Sequence, residues 1–328
     1  MRISTTTELI DDSFGREEAI RMIARAGFDC ADLGMFNDAM TEGHDDPLLQ
    51  DGYREYALNL RKVAEECGIC FNQAHAPFSM NMRVWETDPA AWEDTLFRIR
   101  RSIEVAGLIG APRIVVHPVQ YMIYWNTDPE SMLNKNREFY RLLIPTAQEA
   151  GVKICVENMW RMDLNSKIIR DSVCASPYEF AQYVDTFNQD ADIFCACLDI
   201  GHCFITSHDP ANAVKVLGDR LEALHVHDTD FFRDLHTCPL TGNINQYEVA
   251  EAQGRKDRCH LPRHCPHARL QDDALCSCRA TRYSLWLSPR AYEDSVCHPP
   301  RELLVEWYGD VASEACGDSL LACGEWLF

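Results

Sequence analysis

A length of 328 residues, 46% of them hydrophobic, is enough for one large barrel or for two ordinary domains. The formal net charge of −20 argues against a nucleic-acid backbone as the main partner, because affinity for phosphates rests largely on basic surface. Neither a signal-peptide pattern nor an apolar run of about 18 residues occurs in the sequence, so we expect a cytoplasmic protein without membrane spans.

Seven short β-rich runs alternate along the chain with longer helical patterns. Several of the runs are apolar on both faces, which is typical of parallel strands covered by helices. The runs are Arg2–Thr5, Phe28–Gly34, Ile69–His75, Arg113–His117, Lys153–Asn158, Phe194–Asp199 and Ala223–Asp228. Asp88-Pro89, Ser176-Pro177 and Asp209-Pro210 predict helix starts between them, since proline fits the first turn of a helix.

This alternation predicts an α/β protein and, in particular, a (β/α)8 TIM barrel. The alternative is an open, doubly wound sheet, which would place a glycine-rich phosphate-binding loop after an early strand. The sequence contains neither a G-x-G-x-x-G motif nor a P-loop motif, which favours the barrel.

Sixteen cysteines raise the question of disulfide bonds. Cys155, Cys195 and Cys197 lie inside apolar predicted strands, where a thiol behaves as a small hydrophobic side chain. A cytoplasmic chain would keep such thiols reduced, so we expect free cysteines.

Side chains that can bind a metal stand at the ends of the later predicted strands. They are His75, His117, Glu157, Asp199, His225 and His227, in the third to seventh strands. We expect them to converge, because the C-terminal ends of barrel strands meet at one face. A single histidine there is more often structural, but Glu157 and Asp199 would be costly to bury without a cationic partner. Mixed nitrogen and oxygen donors suit Zn²⁺, Mn²⁺ or a similar divalent ion.

Further polar residues lie in the loops beyond the sixth and seventh strands. His202 follows Asp199 by three residues, and Asp234 and His236 come after the seventh strand. We expect these three residues to contribute to a second metal site or to bind substrate hydroxyls. We interpret His44 and His208 as surface residues.

Six segments, taken in order, resemble the sugar phosphate isomerase/epimerase family. That family belongs to the xylose isomerase-like TIM barrels, which also include the type IV AP endonucleases. The segments are His75-Ala-Pro-Phe, Val116-His117-Pro, Val156-Glu157-Asn158-Met159, Leu198-Asp199-Ile-Gly-His202, His225-Val-His227-Asp228 and Asp234-Leu-His236 with Gly242-Asn-Ile. The resemblance covers residues 1 to about 250, and it rests on the ordered series rather than on any single motif.

The resemblance implies an isomerase or epimerase that acts on a sugar or sugar phosphate, with Mn, Zn, Mg or Co as cofactor. Its metal ligands would be Glu157, Asp199 and His227, with His225 as the alternative to His227, and a glutamate on the eighth strand. The ion would stabilise a cis-enediolate, and Glu157 would act as one of two acid/base carboxylates. His202 would contact the substrate. A homo-oligomer is a further expectation.

The endonuclease branch is the alternative. It uses positions of the type His75, His117, His202, Asp234 and His236 to complete a three-metal cluster, and this chain has all five. Metal-assisted phosphodiester hydrolysis is therefore a second hypothesis, against which the acidic charge weighs. A barrel that binds a metabolite without turnover is a third, which a missing eighth-strand glutamate would favour.

The composition changes after Glu251. Residues 251–328 contain no Ile, no Asn and one Lys, but seven Cys and eight Arg. We interpret residues 1–250 as the barrel with strands one to seven, and residues 251–328 as an atypical segment that need not complete it. Our hypothesis is a frameshift near residue 252. Zinc binding by this segment is one alternative, although the spacing of its Cys and His residues matches no clean motif. In the other, Leu303-Leu-Val-Glu306 is the eighth strand and Glu306 the fourth metal ligand.

Overall fold

In the computed structural model, eight parallel strands close into a barrel, which confirms the predicted TIM-barrel class. The eighth strand, Leu275–Cys278, comes from the atypical segment 251–328. The structure describes residues 2–8, 10–36, 46–77, 82–121, 128–163, 165–259 and 275–278, with backbone only for 82, 255–259 and 275–278. Around the barrel the strands are β1 (Arg2–Thr6), β2 (Cys30–Gly34), β3 (Cys70–His75), β4 (Arg113–Val115), β5 (Lys153–Glu157), β8 (Phe194–Asp199), β9 (Leu221–His225) and β10 (Leu275–Cys278).

Helices connect the strands. They are α1 (Ile10–Phe14), α2 (Arg16–Arg25), α3 (Tyr53–Glu66), α4 (Met82–Thr87), α5 (Pro89–Ile109), α6 (Pro129–Arg141), α7 (Ile144–Ala150), α8 (Pro177–Asn188), α9 (Ile200–Ile205), α10 (Pro210–Leu217) and α11 (Gln246–Cys259), with 3₁₀ turns at Pro47–Leu49 and Gly218–Arg220. The predicted starts of α5, α8 and α10 are confirmed, since each begins at its proline. No helix in the described ranges is long and apolar enough to cross a membrane.

Two apolar layers follow from the alternation of side chains along the strands. Residues such as Ile114, Ile154 and Ala196 belong to the large core that packs against the helices. Their neighbours on the opposite face form a separate buried cluster inside the barrel. That cluster consists of Val115, Cys155, Cys195, Cys197 and Ala223. The nine cysteines whose side chains the structure describes are free thiols, in agreement with the expectation for Cys155, Cys195 and Cys197.

A two-stranded antiparallel hairpin, which the sequence did not predict, follows β5. Its strands are β6 (Trp160–Asp163) and β7 (Ile168–Asp171), paired from Trp160 with Asp171 to Asp163 with Ile168. Because the hairpin starts three residues after Glu157, it brings an aromatic side chain close to the C-terminal end of the barrel.

The strand between β1 and β9 is short. β10 pairs in parallel with both neighbours, with Leu275 opposite Arg2 on one side and Ala223 on the other. Its sequence, Leu-Cys-Ser-Cys, contains no carboxylate, so this strand does not supply the glutamate expected as the fourth metal ligand. The predicted strand at Leu303-Leu-Val-Glu306, and with it Glu306, lies outside the described residues. α11 continues to Cys259, through the position of the proposed frameshift.

Candidate metal centre

The C-terminal ends of the strands carry buried polar side chains. His75 ends β3, Glu157 ends β5, Asp199 ends β8 and His225 ends β9, and all four are 0% exposed. His117 follows β4 by two residues and is also buried. The barrel geometry thus brings together side chains from five strands that are far apart in the sequence.

Glu157 stands between two groups of histidines. One carboxylate oxygen, Oε2, lies 3.2 Å from His117 Nε2 and 3.5 Å from His75 Nε2. The other oxygen, Oε1, lies 3.2 Å from His225 Nδ1 and 3.5 Å from His202 Nδ1. A single carboxylate is therefore placed to serve two cation positions, one on each side.

Asp199 is fixed by its neighbours along the chain and across the sheet. Its Oδ1 accepts a hydrogen bond of 2.7 Å from the backbone N–H of His202 at the start of α9. The Asn158 side chain bonds both the backbone N–H and the carbonyl of Asp199, which ties β5 to β8 beside the site. The carboxylate then faces His227 Nε2 at 2.9 Å and His225 Nδ1 at 3.8 Å.

A third group lies towards the mouth of the barrel. Asp234 Oδ2 lies 3.0 Å from His202 Nε2, and Oδ1 lies 3.1 Å from His236 Nε2. Trp160, the first residue of the hairpin, donates an indole N–H to Asp234 Oδ2 at 3.1 Å. The rings of His227 and His236 stack with their centroids 4.0 Å apart, which connects this group to the Asp199 side.

Further polar side chains support the site from behind. Gln73 Nε2 lies 2.9 Å from His225 Nε2 and also donates a hydrogen bond to Asp32 Oδ2, so Gln73 is itself fixed while it contacts the ring nitrogen that does not face Glu157. Asp228 accepts hydrogen bonds from the backbone of Thr229 and Ile244 and orders the loop that follows β9. The roles of Asn158, Trp160 and Gln73 are not predictable from the sequence, because nothing in spacing or hydropathy separates such residues from ordinary buried polar ones.

The charges in this site balance only if the histidines carry protons or a cation is bound. Burial alone would raise the pKa of Glu157, but attraction to His225 and His117 holds it well below its ordinary value. Burial would also raise the pKa of Asp199, but the combined attraction to His202 and His227 lowers it. Burial would lower the pKa of His202, yet Asp199 and Asp234 raise it to about 10.

This donor set fits divalent metal ions. Within the described part of the chain, the ionic partners of Glu157 and Asp199 are all histidines. Two buried carboxylates so close together are unfavourable unless a cation neutralises them. The groups with ligand atoms within 4.8 Å of one another are His75–His117–Glu157, Glu157–Cys197–His225, Glu157–Asp199–His202, Asp199–His227–His236 and His202–Asp234–His236.

His208, one of the two histidines interpreted as surface residues, does not join the site. His208 bonds Asp171 at 3.1 Å and is absent from every group of possible ligands among the described residues. His44 lies outside the described residues.

Curated proteins with related sequences match about half of the chain. The family described as xylose isomerase-like TIM barrel matches residues 20–252. An uncharacterized protein of Methanocaldococcus jannaschii is 29% identical over 185 residues, which are 54% of this chain and 58% of that protein. The probable endonuclease 4 of Bacillus licheniformis is 29% identical over 181 residues, 52% of this chain and 55% of that protein. The chain thus spans only about half the length of these relatives.

Solved structures share the architecture over most of the chain. A D-tagatose 3-epimerase-like protein has a TM-score of 0.64 at 21% identity, covering 92% of this chain and 100% of that one. D-allulose 3-epimerase from Methylomonas sp., in complex with D-allulose, has a TM-score of 0.61 at 16% identity, covering 90% and 89%. The IolI protein with a bound zinc atom has a TM-score of 0.61 at 14% identity, covering 89% and 91%. At such identities these likenesses show the fold alone.

Proposed function

We propose that this chain, which belongs to the xylose isomerase-like TIM barrel family, is a divalent-metal-dependent isomerase or epimerase of a sugar or sugar phosphate. The observation that carries the proposal is the buried pair Glu157 and Asp199, faced by His225 and His227 at the C-terminal end of the barrel. The proteins that share the fold include sugar epimerases, one of them in complex with its sugar. We also propose a cytoplasmic enzyme, where the cysteines would remain reduced.

Glu157, Asp199 and a histidine of the β9 end would hold the metal ion, whose positive charge would stabilise the enediolate oxygens of the substrate. The two carboxylate oxygens of Glu157 face opposite sides of the site. One oxygen can therefore bind the metal ion while the other takes a proton from the substrate carbon beside the carbonyl. His202, which lies 2.9 Å from the carbonyl of Asn158 and 3.0 Å from Asp234 Oδ2, would contact a substrate oxygen. The burial of these groups keeps bulk water from the proton in transit.

One observation favours a second function, metal-assisted phosphodiester hydrolysis. Beyond Glu157 and Asp199, the site holds two more groups of possible ligands, His75 with His117 and His202 with Asp234 and His236. A site for several metal ions suits an in-line displacement at phosphorus, and a probable endonuclease 4 is among the relatives. The net charge of −20 weighs against a DNA substrate.

The carboxyl-terminal segment bears on the activity of this chain. β10 offers no carboxylate, so we propose that residues 251–328 result from a frameshift near residue 252 and that the metal site lacks the glutamate that would be its fourth ligand. If catalysis requires this metal-binding glutamate, the chain would be a barrel that binds a metabolite without turnover. The proposal predicts that another reading frame downstream of codon 252 encodes a helix and then a strand that ends in Glu. The absence of both from the other two frames would refute it.

A single pair of assays separates the functions. The metal-loaded protein is incubated with a panel of ketoses and ketose phosphates, and in parallel with duplex DNA that contains an abasic site. Turnover of a ketose without DNA cleavage supports the isomerase. DNA cleavage without ketose turnover would establish the hydrolase instead, and binding of a ketose without either reaction would establish the non-catalytic barrel.

A further inference from the structure

Two cysteines face each other at the end of the barrel opposite the candidate metal centre. Cys30 is the first residue of β2 and Cys70 the first of β3, and the two are directly opposite in the parallel pairing of these strands. Their Sγ atoms lie 3.2 Å apart. His75, at the other end of β3, is five residues away, a separation of about 16 Å along an extended strand.

The surroundings give the two sulfurs different roles. Arg2 Nη1 donates a hydrogen bond to Cys70 Sγ at 3.4 Å, and the guanidinium charge favours a thiolate there. The contact with Cys70, together with burial, raises the pKa of Cys30, which therefore keeps its proton. Cys70 is partly exposed whereas Cys30 is buried, so an oxidant in solution meets Cys70 first.

A second pair of cysteines lies opposite each other on neighbouring strands, but solvent does not reach it. Cys155 and Cys195 are opposite each other on β5 and β8, with their Sγ atoms 2.8 Å apart. Both are buried inside the barrel, 0% and 1% exposed, and burial raises the pKa of Cys195 well above its ordinary value. This pair has the proximity of Cys30 and Cys70 but neither the exposure nor a hydrogen bond from arginine.

We propose that Cys30 and Cys70 form a thiol modification site, at which a small-molecule disulfide such as glutathione disulfide reversibly oxidises the pair to a cross-link between β2 and β3. Neighbouring strands lie about 4.8 Å apart, within the range of about 4.4–6.8 Å that Cα atoms of a disulfide span. The sulfurs need only approach from 3.2 Å to about 2 Å.

The chemistry is a pair of thiol–disulfide exchanges. The Cys70 thiolate attacks one sulfur of the external disulfide, whose S–S bond breaks, and one thiolate leaves while Cys70 becomes a mixed disulfide. Cys30 then loses its proton to the departed thiolate and attacks the Cys70 sulfur, which expels the second thiolate. The two protein thiols are oxidised by two electrons, and the external disulfide is reduced to two thiols.

The test uses the full-length protein in its folded state. It is equilibrated with mixtures of reduced and oxidised glutathione, quenched with acid, alkylated and mapped by mass spectrometry. We expect a Cys30–Cys70 cross-link that forms as the ratio becomes oxidising and disappears on return to reducing buffer, while Cys155 and Cys195 are alkylated as free thiols throughout. A persistent glutathione adduct on Cys70 with Cys30 free would overturn the proposal, as would cross-linking of Cys155 to Cys195 alone.

Variants test whether the cross-link depends on the contact between Cys30 and Cys70 or on the general reactivity of exposed thiols. Cys67, three residues before Cys70 and also partly exposed, is the matched control, and Cys67→Ser is expected to keep the cross-link. Cys70→Ser is expected to lose it and to leave Cys30 unreacted. Arg2→Gln is expected to slow the first step several-fold, measured as the initial rate of adduct formation, with Arg2→Lys intermediate. Equal rates in all three Arg2 forms, or a cross-link lost in Cys67→Ser, would contradict the assigned roles.

Discussion

His225 Nδ1 lies 3.2 Å from Glu157 Oε1, a contact that crosses the inside of the barrel between two strands that are not neighbours in the sheet. The same nitrogen lies 3.8 Å from Asp199 Oδ2, on the strand between them. His225 therefore faces both carboxylates, whereas His227 faces Asp199 at 2.9 Å and stacks on His236. The two histidines of the His-Val-His-Asp segment have different positions in the site.

We predict that His225→Asn weakens divalent metal binding more than His227→Asn does. The first change removes a nitrogen that reaches both Glu157 and Asp199, so at least a tenfold loss of affinity is expected. Calorimetric titration of the metal-free variants with Mn²⁺ measures the affinity of each. Full binding by His225→Asn together with loss of binding by His227→Asn would reverse the assignment, in favour of the ligand set that the family resemblance implies.

Gln73 is expected to matter for metal binding without touching the metal. Its amide lies 2.9 Å from His225 Nε2 and is itself held by Asp32, so Gln73→Leu leaves the imidazole free to turn. Loss of such a supporting contact typically costs about 10- to 100-fold in affinity. Asn72→Leu is the control, because Asn72 is equally buried on the same strand but bonds Ser4. Equal affinities in the two variants would contradict a role for Gln73.

Gly201→Ala is predicted to displace His227. A Cβ at Gly201 would stand 1.9 Å from His227 Cε1, so the ring must leave its position against Asp199. We expect a loss of about 1–3 kcal/mol in the free energy of unfolding, by urea denaturation, and weaker metal binding. Gly254→Ala is the matched helical control, since no atom of the described part of the chain lies within 4 Å of its Cβ position. An unchanged metal affinity in Gly201→Ala would show that His227 is not needed.

Glu222 makes the free energy of unfolding depend on pH in the acid range. Burial would raise its pKa, but hydrogen bonds from Lys153 at 2.6 Å and Arg113 at 2.7 Å lower it below the ordinary 4.5. A lowered folded-state pKa stabilises the protein above about pH 4.5, and this contribution is lost as the pH falls through the folded-state value. Glu222→Gln should cost about 1–2 kcal/mol at pH 7 and progressively less in acid. A difference in unfolding free energy that is constant from pH 7 to pH 3 would refute the prediction.

The barrel could be predicted because its strands and helix starts have recognisable sequence patterns. Runs such as Ile114-Val115-Val116 are apolar on both faces, and the proline at the start of α5, α8 and α10 marks a helix boundary. The hairpin of β6 and β7 was missed, because Trp160–Asp163 and Ile168–Asp171 are short, mostly polar on the exposed side and lack a strong turn motif.

The site was predictable to the extent that strand ends meet at one face. Glu157, Asp199 and the histidines could be named from that rule alone. Which side-chain atoms contact each other depends on packing across the barrel, as between Gln73 Nε2 and His225 Nε2, where 152 residues separate the partners. Sequence spacing carries no information at that distance.

The most direct test of the account is proton exchange at the substrate carbon. The metal-loaded protein and its Glu157→Gln variant are incubated with a panel of ketoses in D₂O, and deuterium beside the carbonyl is measured by NMR, with circular dichroism to show that the variant is folded. We predict metal-dependent deuterium incorporation into at least one ketose, and a loss of at least about 100-fold in the rate of incorporation by the variant. Equal exchange by both proteins, or no exchange into any ketose while abasic-site DNA is cleaved, would contradict it.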